Sequence, residues 1–263
     1  MDNRNDKERN GYVQPEFDVG TRGRNYILAN VNMPWVRQNE TDLMLRNIDA
    51  QAGEYIADFG CGHQIISGPL ADIVGNTGRV YAIDNSRQVM SGVKERANII
   101  RVIIKDEYLP LPDSSVDAVV TLANFHHIVD KQRAFLEFSR ILKHRGRLVL
   151  GDILDGTPLQ KYFDGPVDRF CSTGHKHKFL NEDWIRSMCK ASSLEVCSLK
   201  LEQVPWTFNN EEEAKWFLHT IHDAQCSPQE CFDEAVKYLG FTNNNGKLFL
   251  NWHLFYLGAV KSQ

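Results

Sequence analysis

A chain of 263 residues can bury one substantial core and suits a single domain with decorations better than two equal domains. Its composition, 42% hydrophobic, 24% charged and 10% aromatic, is ordinary for a globular protein, and a formal charge of -4 gives no general attraction to nucleic acid or acidic membranes. No apolar run is long enough to span a bilayer.

The opening stretch, MDNRNDKERNGY, is polar and lacks the apolar core of a signal peptide, so residues 1–12 are expected to be disordered. Cys61, Cys171, Cys189, Cys197, Cys226 and Cys231 follow no framework spacing, which fits reduced thiols in a cytoplasmic protein. Residues 35–48 carry an amphipathic helical pattern. From residue 53 short β-branched runs alternate with amphipathic stretches. Strands are expected over 54–59, 79–84, 99–104, 116–123 and 147–154. Helices are expected over 64–74, over 86–97 with Ser86 as N-cap, and over 130–142. This alternation means βαβ units and a mainly parallel sheet, the α/β class. Residues 155–180 lose the period and read as an insertion with a short helix. A helix over 181–192 capped by Asn181, a strand over 194–204, a mostly helical 205–246 and one long strand over 247–261 complete the reading.

The informative stretch is YIADFGCGHQIIS, residues 55–67. Asp58 ends the first strand, where open α/β sheets bind ligands, and Gly60 and Gly62 let the backbone turn tightly against a ligand. A dinucleotide fingerprint needs glycine where Ile65 stands, and no G-K-[ST] follows, so neither phosphate-binding loop fits. Two glycines alone serve an ordinary tight turn equally well. Asp84 and Asp106, the latter followed by Glu107, end the second and third strands. Three acids facing one crevice suit a ligand with a ribose and hydrogen-bond donors, and they would repel a pyrophosphate.

On these residues the chain resembles the class I S-adenosylmethionine-dependent methyltransferases, of the broad small-molecule, type 11-like kind. DFGCG resembles the first family motif, AID (82–84) the second, and KDEYLPLPDSSVDAVVTLANFHHIVD (105–130) the third and fourth. AFLEFSRILKHRGRLVLGDI (134–153) matches the helix and strand that follow, and the likeness covers about residues 50–155. It implies a Rossmann-like, doubly wound, seven-stranded and mostly parallel sheet of order 3-2-1-4-5-7-6, with strand 7 antiparallel and a helical cover. Residues 1–50 would be an N-terminal tail and helical cap on a methyltransferase domain over 51–263, whose insertions 155–180 and 205–246 cover the substrate. By resemblance, Asp58, Gly60 and Gly62 surround the methionine part of S-adenosyl-L-methionine. Asp84 would hold the ribose and Asp106 the adenine amino group, with Cys61, Asn85, Glu107 and Asn124 completing the cofactor set. The family commonly has glycine where this chain has Gln64, which is expected to change the turn or add an amide contact. The usual Pro-Gly before the fifth strand is here His144-Arg145, followed by Gly146.

The implied reaction is methyl transfer to an oxygen, nitrogen or carbon of a small molecule, with neither nucleic acid nor membrane as partner. A rearrangement or elimination on the same fold, or a non-catalytic binding module, are the other classes left open. His126 and His127 follow the fourth strand and are candidate general bases, or structural residues. Trp35 and Trp206 are candidates for an acceptor pocket. His175, Lys176, His177 and Lys178 read as a solvated loop able to steer an anionic substrate. His219, His222 and Cys226, with Cys231 beyond, fall near one helix face but lack the tight pairs of structural zinc sites, so no metal is expected.

Overall fold

Among the described residues there are ten strands: β1 (Tyr55–Phe59), β2 (Arg79–Asp84), β3 (Ile99–Ile103), β4 (Val116–Leu122), β5 (Leu142–Asp152), β6 (Leu194–Gln203), β7 (Trp206–Phe208), β8 (Phe241–Asn244), β9 (Lys247–Leu250) and β10 (His253–Lys261). The computed structural model describes residues 15–175 and 177–262, so the expectation for residues 1–12 lies outside the described residues. Seven strands form the central sheet in the order β3-β2-β1-β4-β5-β10-β6. β3, β2, β1, β4 and β5 pair in parallel, and β10 lies antiparallel between β5 and β6. This is the order and the reversed final strand that the resemblance implies.

The strands are apolar on both faces because both faces are covered. Ile56, Val80 and Val120 point into one buried layer, and Ala57, Phe59, Ile83 and Val119 into the other. In the second layer Phe59 and Phe138 meet edge to face at 5.0 Å, and Phe125 meets Phe135 the same way at 5.4 Å. Helix starts follow local chemistry: the side chains of Ser86, Asp130, Asn181 and Ser227 each accept a backbone N–H in the first turn that follows.

The sequence expectations fail in three places. The helix expected over 86–97 stops at Met90. Ser91 and Gly92 are weak helix formers, and the Gln64 amide bonds both the N–H and the C=O of Lys94, which a continuing helix would need. The long strand expected over 247–261 is two strands, β9 and β10, separated by Asn251 and Trp252. The mostly helical 205–246 holds the helices Glu211–Ile221 and Pro228–Tyr238, but also β7 and β8, which form a second sheet, β7-β9-β8. Its β8–β9 hairpin turns at Asn245 and Gly246, both at positive φ, the Asn-Gly pattern that favours a two-residue turn.

This second sheet anchors the N-terminal helices, Arg22–Asn32 and Gln38–Ile48. Glu40 is wholly buried and ion-paired to Arg37 at 2.7 Å, and it also accepts the Trp206 indole N–H at 2.6 Å. Trp206 stacks on Trp252 with ring centroids 3.8 Å apart. The helix Arg22–Asn32 is tied to Asp223, which accepts from Thr21 and Asn25, while the Arg22 guanidinium donates to the Ile221 carbonyl. Residues 205–246 therefore support the N-terminal helices from behind.

Candidate active site

A cleft of about 990 Å³ opens at the carboxyl ends of the parallel strands. Its floor begins at the loop after β1, where the sequence has little choice. Gly60 has φ +70°, and a Cβ there would stand 2.0 Å from the Asn124 amide, so no larger residue fits. Gly62 has φ +52°, and a Cβ would meet the Tyr26 hydroxyl at 2.8 Å. Gln64 is also left-handed, at φ +67°. The glycine common in the family is thus replaced by a residue that accepts the strain and uses its amide to bind the Lys94 backbone at 2.8 and 3.2 Å.

Asp84, at the end of β2, lines the cleft and is held by two backbone N–H donors, Gly62 at 3.0 Å and Ser86 at 2.9 Å. Burial raises its pKa, and those donors oppose the shift. Each carboxylate oxygen has a further lone pair to offer, as a ribose diol requires. Asn85, Asp106, Glu107 and Asn124 line the same cleft. Asp58 and Cys61 do not. Asp58 is buried beneath the loop and accepts the Ser67 hydroxyl at 2.5 Å; burial pushes its pKa up to about 7. Cys61 is buried with its sulfur 3.5 Å from that of Met90. Both shape the turn from below.

The far end of the cleft is built from histidines. The turn Phe125–His127 follows β4, and buried Lys131 fixes it by donating to the carbonyls of His126 and Ile128. Asp152, last residue of β5, accepts the His126 backbone N–H at 3.0 Å and contacts His126 Nδ1 at 2.6 Å. Burial opposes ionisation of Asp152, but His126 and two backbone donors hold its pKa below the ordinary value. An ionised Asp152 can only accept, so His126 carries a proton on Nδ1; the residue is buried and does not itself line the cleft. His127 lines the cleft, and burial together with His126 pushes its pKa down to about 3, leaving it neutral.

Residues distant in sequence complete this end. Glu16, Phe17 and Tyr26 from the N-terminal segment line the cleft, as do Thr173 and His177 from the insertion. His175 is only 2% exposed, against the solvated loop expected there, while Lys176 lies outside the described residues. His175 stands among Phe163, Phe179 and His126, with its ring 4.8 Å from that of Phe163. Trp35 and Trp206, expected at an acceptor pocket, do not line the cleft: Trp35 is 40% exposed and Trp206 belongs to the buried Glu40 network. His222 is buried beside Tyr162 and Phe163. One signal for the missed residues is present in the sequence. His175 and His177 are two apart, a spacing that places both on one side of an extended segment.

The seven-stranded sheet with its reversed strand, the two-glycine loop and the strand-end acids define the class I S-adenosylmethionine-dependent methyltransferase fold. Residues 57–150 match the family described as methyltransferase domain. An uncharacterized 37.1 kDa protein of a Streptomyces fradiae transposon is 36% identical over 114 residues, covering 42% of this chain and 33% of that protein. The 27-O-demethylrifamycin SV methyltransferase of Amycolatopsis mediterranei is 32% identical over 123 residues, 43% of this chain and 44% of that enzyme. The chain thus spans less than half the length of either relative. Among solved structures, the YcgJ protein of Bacillus subtilis superposes with a TM-score of 0.61 at 18% identity, over 86% of this chain and 99% of that one.

Proposed function

We propose that the protein transfers a methyl group from S-adenosylmethionine to an oxygen, nitrogen or carbon of a small-molecule acceptor. The observation that carries this reading is one continuous cleft joining Asp84 at the end of β2 and the acids that follow β3 to His127 after β4. Asp84 and Asn85 would hold the ribose, Asp106 and Glu107 the adenine end, and Gly60, Gly62 and Asn124 the methionine part. The cofactor supplies, when bound, an electrophilic methyl on a sulfonium. The residues fit it: bare backbone at Gly60 and Gly62, hydrogen-bond acceptors at the strand ends, and no phosphate-binding loop.

The chain's own contribution is alignment. Asp152 orients the His126 ring, which is buried behind His127 with ring centroids 4.1 Å apart and so positions His127 at the acceptor end of the cleft. The two N-terminal helices, with 155–180, form the cover over the acceptor end, and 205–246 braces it.

Transfer of label from methyl-labelled cofactor to small-molecule fractions tests the reading directly. Asp152→Asn should lower turnover by about 10²-fold, the range for a misplaced catalytic surround, with cofactor affinity unchanged. Binding of cofactor without transfer to any acceptor class would reject it.

A further inference from the structure

Glu16, His127 and His177 bring three donor atoms to one point. His127 Nδ1 lies 3.0 Å from His177 Nε2, and each lies 3.1 Å from Glu16 Oε2. Hydrogen bonds cannot satisfy this triangle. If both nitrogens donate to the carboxylate, two N–H groups crowd each other along the third edge. If one nitrogen donates to the other, a lone pair faces the carboxylate. A cation above the triangle satisfies all three edges together. Cis ligands of an octahedral ion with bonds of about 2.1 Å lie about 3.0 Å apart, which matches the observed edges.

A second observation points the same way. Neither ring nitrogen of His175 has a hydrogen-bond partner among the described residues, and the residue is 2% exposed. An imidazole buried without partners is costly. Its ring centroid stands 4.5 Å from that of His177 and 5.4 Å from that of His127. With His126 and His127 it forms another trio whose donor atoms lie within 4.8 Å of one another, so the two trios share His127. Glu16, His127 and His177 also line the cleft.

We propose that Glu16, His127 and His177, with His175 beside them, hold a divalent transition-metal ion at the acceptor end of the cleft. Two imidazoles and one carboxylate suit an ion of borderline softness such as Zn²⁺ or Fe²⁺, and leave coordination positions open toward the cleft. The ligands come from the N-terminal segment, the turn after β4 and the insertion, so the ion also pins the cover to the sheet. Granted the methyl-transfer reading above, the open position takes an oxygen or nitrogen of the acceptor. The ion then favours the deprotonated nucleophile, as it does for bound water.

Titration of the metal-free protein with Zn²⁺ and Co²⁺ against a chromophoric chelator tests the site without an activity assay. One ion per chain should bind. His177→Ala and the isosteric Glu16→Gln should each weaken it by about 100-fold or more, beyond the 10–100-fold range for outer-sphere changes. Thermal melts of both variants check folding, and Glu16→Gln keeps the volume of the native side chain. Absence of competition with the chelator overturns the proposal, as does an affinity that Glu16→Gln leaves unchanged. A bound ion in a protein that methylates nothing leaves this site standing and defeats only the methyl-transfer reading. Label transfer by a chain shown to bind no ion does the reverse.

Discussion

The two ends of the cleft are built in different ways. At the strand-end acids, backbone groups do most of the shaping: Gly60 and Gly62 turn against Asn124 and Tyr26, and Asp84 is held by N–H groups within two positions of it or across the glycine loop. At the other end, side-chain rings shape the site, and they come from Phe17, from His126 and His127, and from His175 and His177. The first end is a local motif on the sheet. The second exists only once three distant segments have packed, so its chemistry is a product of tertiary structure.

Substitutions can break or sharpen that contrast. The largest effect is expected in the second sheet behind the N-terminal helices, where Trp206→Ala removes the ring stacked on Trp252 and leaves Glu40 without its indole donor. A stability loss of about 3–5 kcal/mol is expected in denaturant unfolding. A stable variant impaired only in acceptor use would instead return Trp206 to the pocket. Next comes Asp84→Ala, expected to weaken cofactor-product binding by about 1.5–3 kcal/mol in calorimetry, the range for charge-assisted hydrogen bonds. Unchanged affinity would remove Asp84 from the ribose role.

Asp58 gives a smaller, pH-dependent effect. Its folded pKa, raised to about 7 by burial, exceeds the ordinary carboxylate value, so the folded state binds the proton more tightly than the unfolded chain. Its contribution to stability is present at low pH and is lost as pH rises through about 7. Asp58→Asn should therefore gain on the native protein from about pH 4 to about pH 7 and keep that gain above it. A melting-temperature difference that does not grow with pH means that Asp58 is already ionised in the fold. The smallest change is Gln64→Gly, which relieves a left-handed residue but loses two amide hydrogen bonds. The net should stay within about 1 kcal/mol. Faster exchange of the Lys94 amide is the sensitive readout, and unaltered exchange would show that the Gln64 contact does not hold that segment.

The same contrast governs what could be read from residues alone. Runs such as YIADF and RVYAID carry their fate locally, since β-branched and apolar residues buried on both faces have few alternatives to a central strand. The sheet order rested on the resemblance and matches the observed one. Asp84, Asn85, Asp106, Glu107 and Asn124 were also placed at the cleft by their motifs. Glu16, Phe17 and Tyr26 carry no such signal, because only tertiary packing of the N-terminal segment brings them to the cleft. The shortened helix after Ser86 depends on a side chain more than twenty positions earlier, Gln64. The β8–β9 hairpin, by contrast, was legible at Asn245-Gly246 but was outweighed by the helical pattern around it.

One small contact ties the two ends together. The Asp18 carboxylate, in the segment that carries Glu16 and Phe17, accepts the Ser86 hydroxyl at 2.6 Å and the Gln88 N–H at 2.9 Å, immediately beyond Asp84. Free energy is a state function, so whatever the cofactor adds to acceptor affinity through this tie, the acceptor returns to cofactor affinity by the same factor. The spent cofactor shares the ribose that Asp84 would bind, so it should profit from the tie as well. Its departure then becomes the step that a tightly bound acceptor slows, and Asp18→Asn should uncouple the two affinities while leaving each binding site intact.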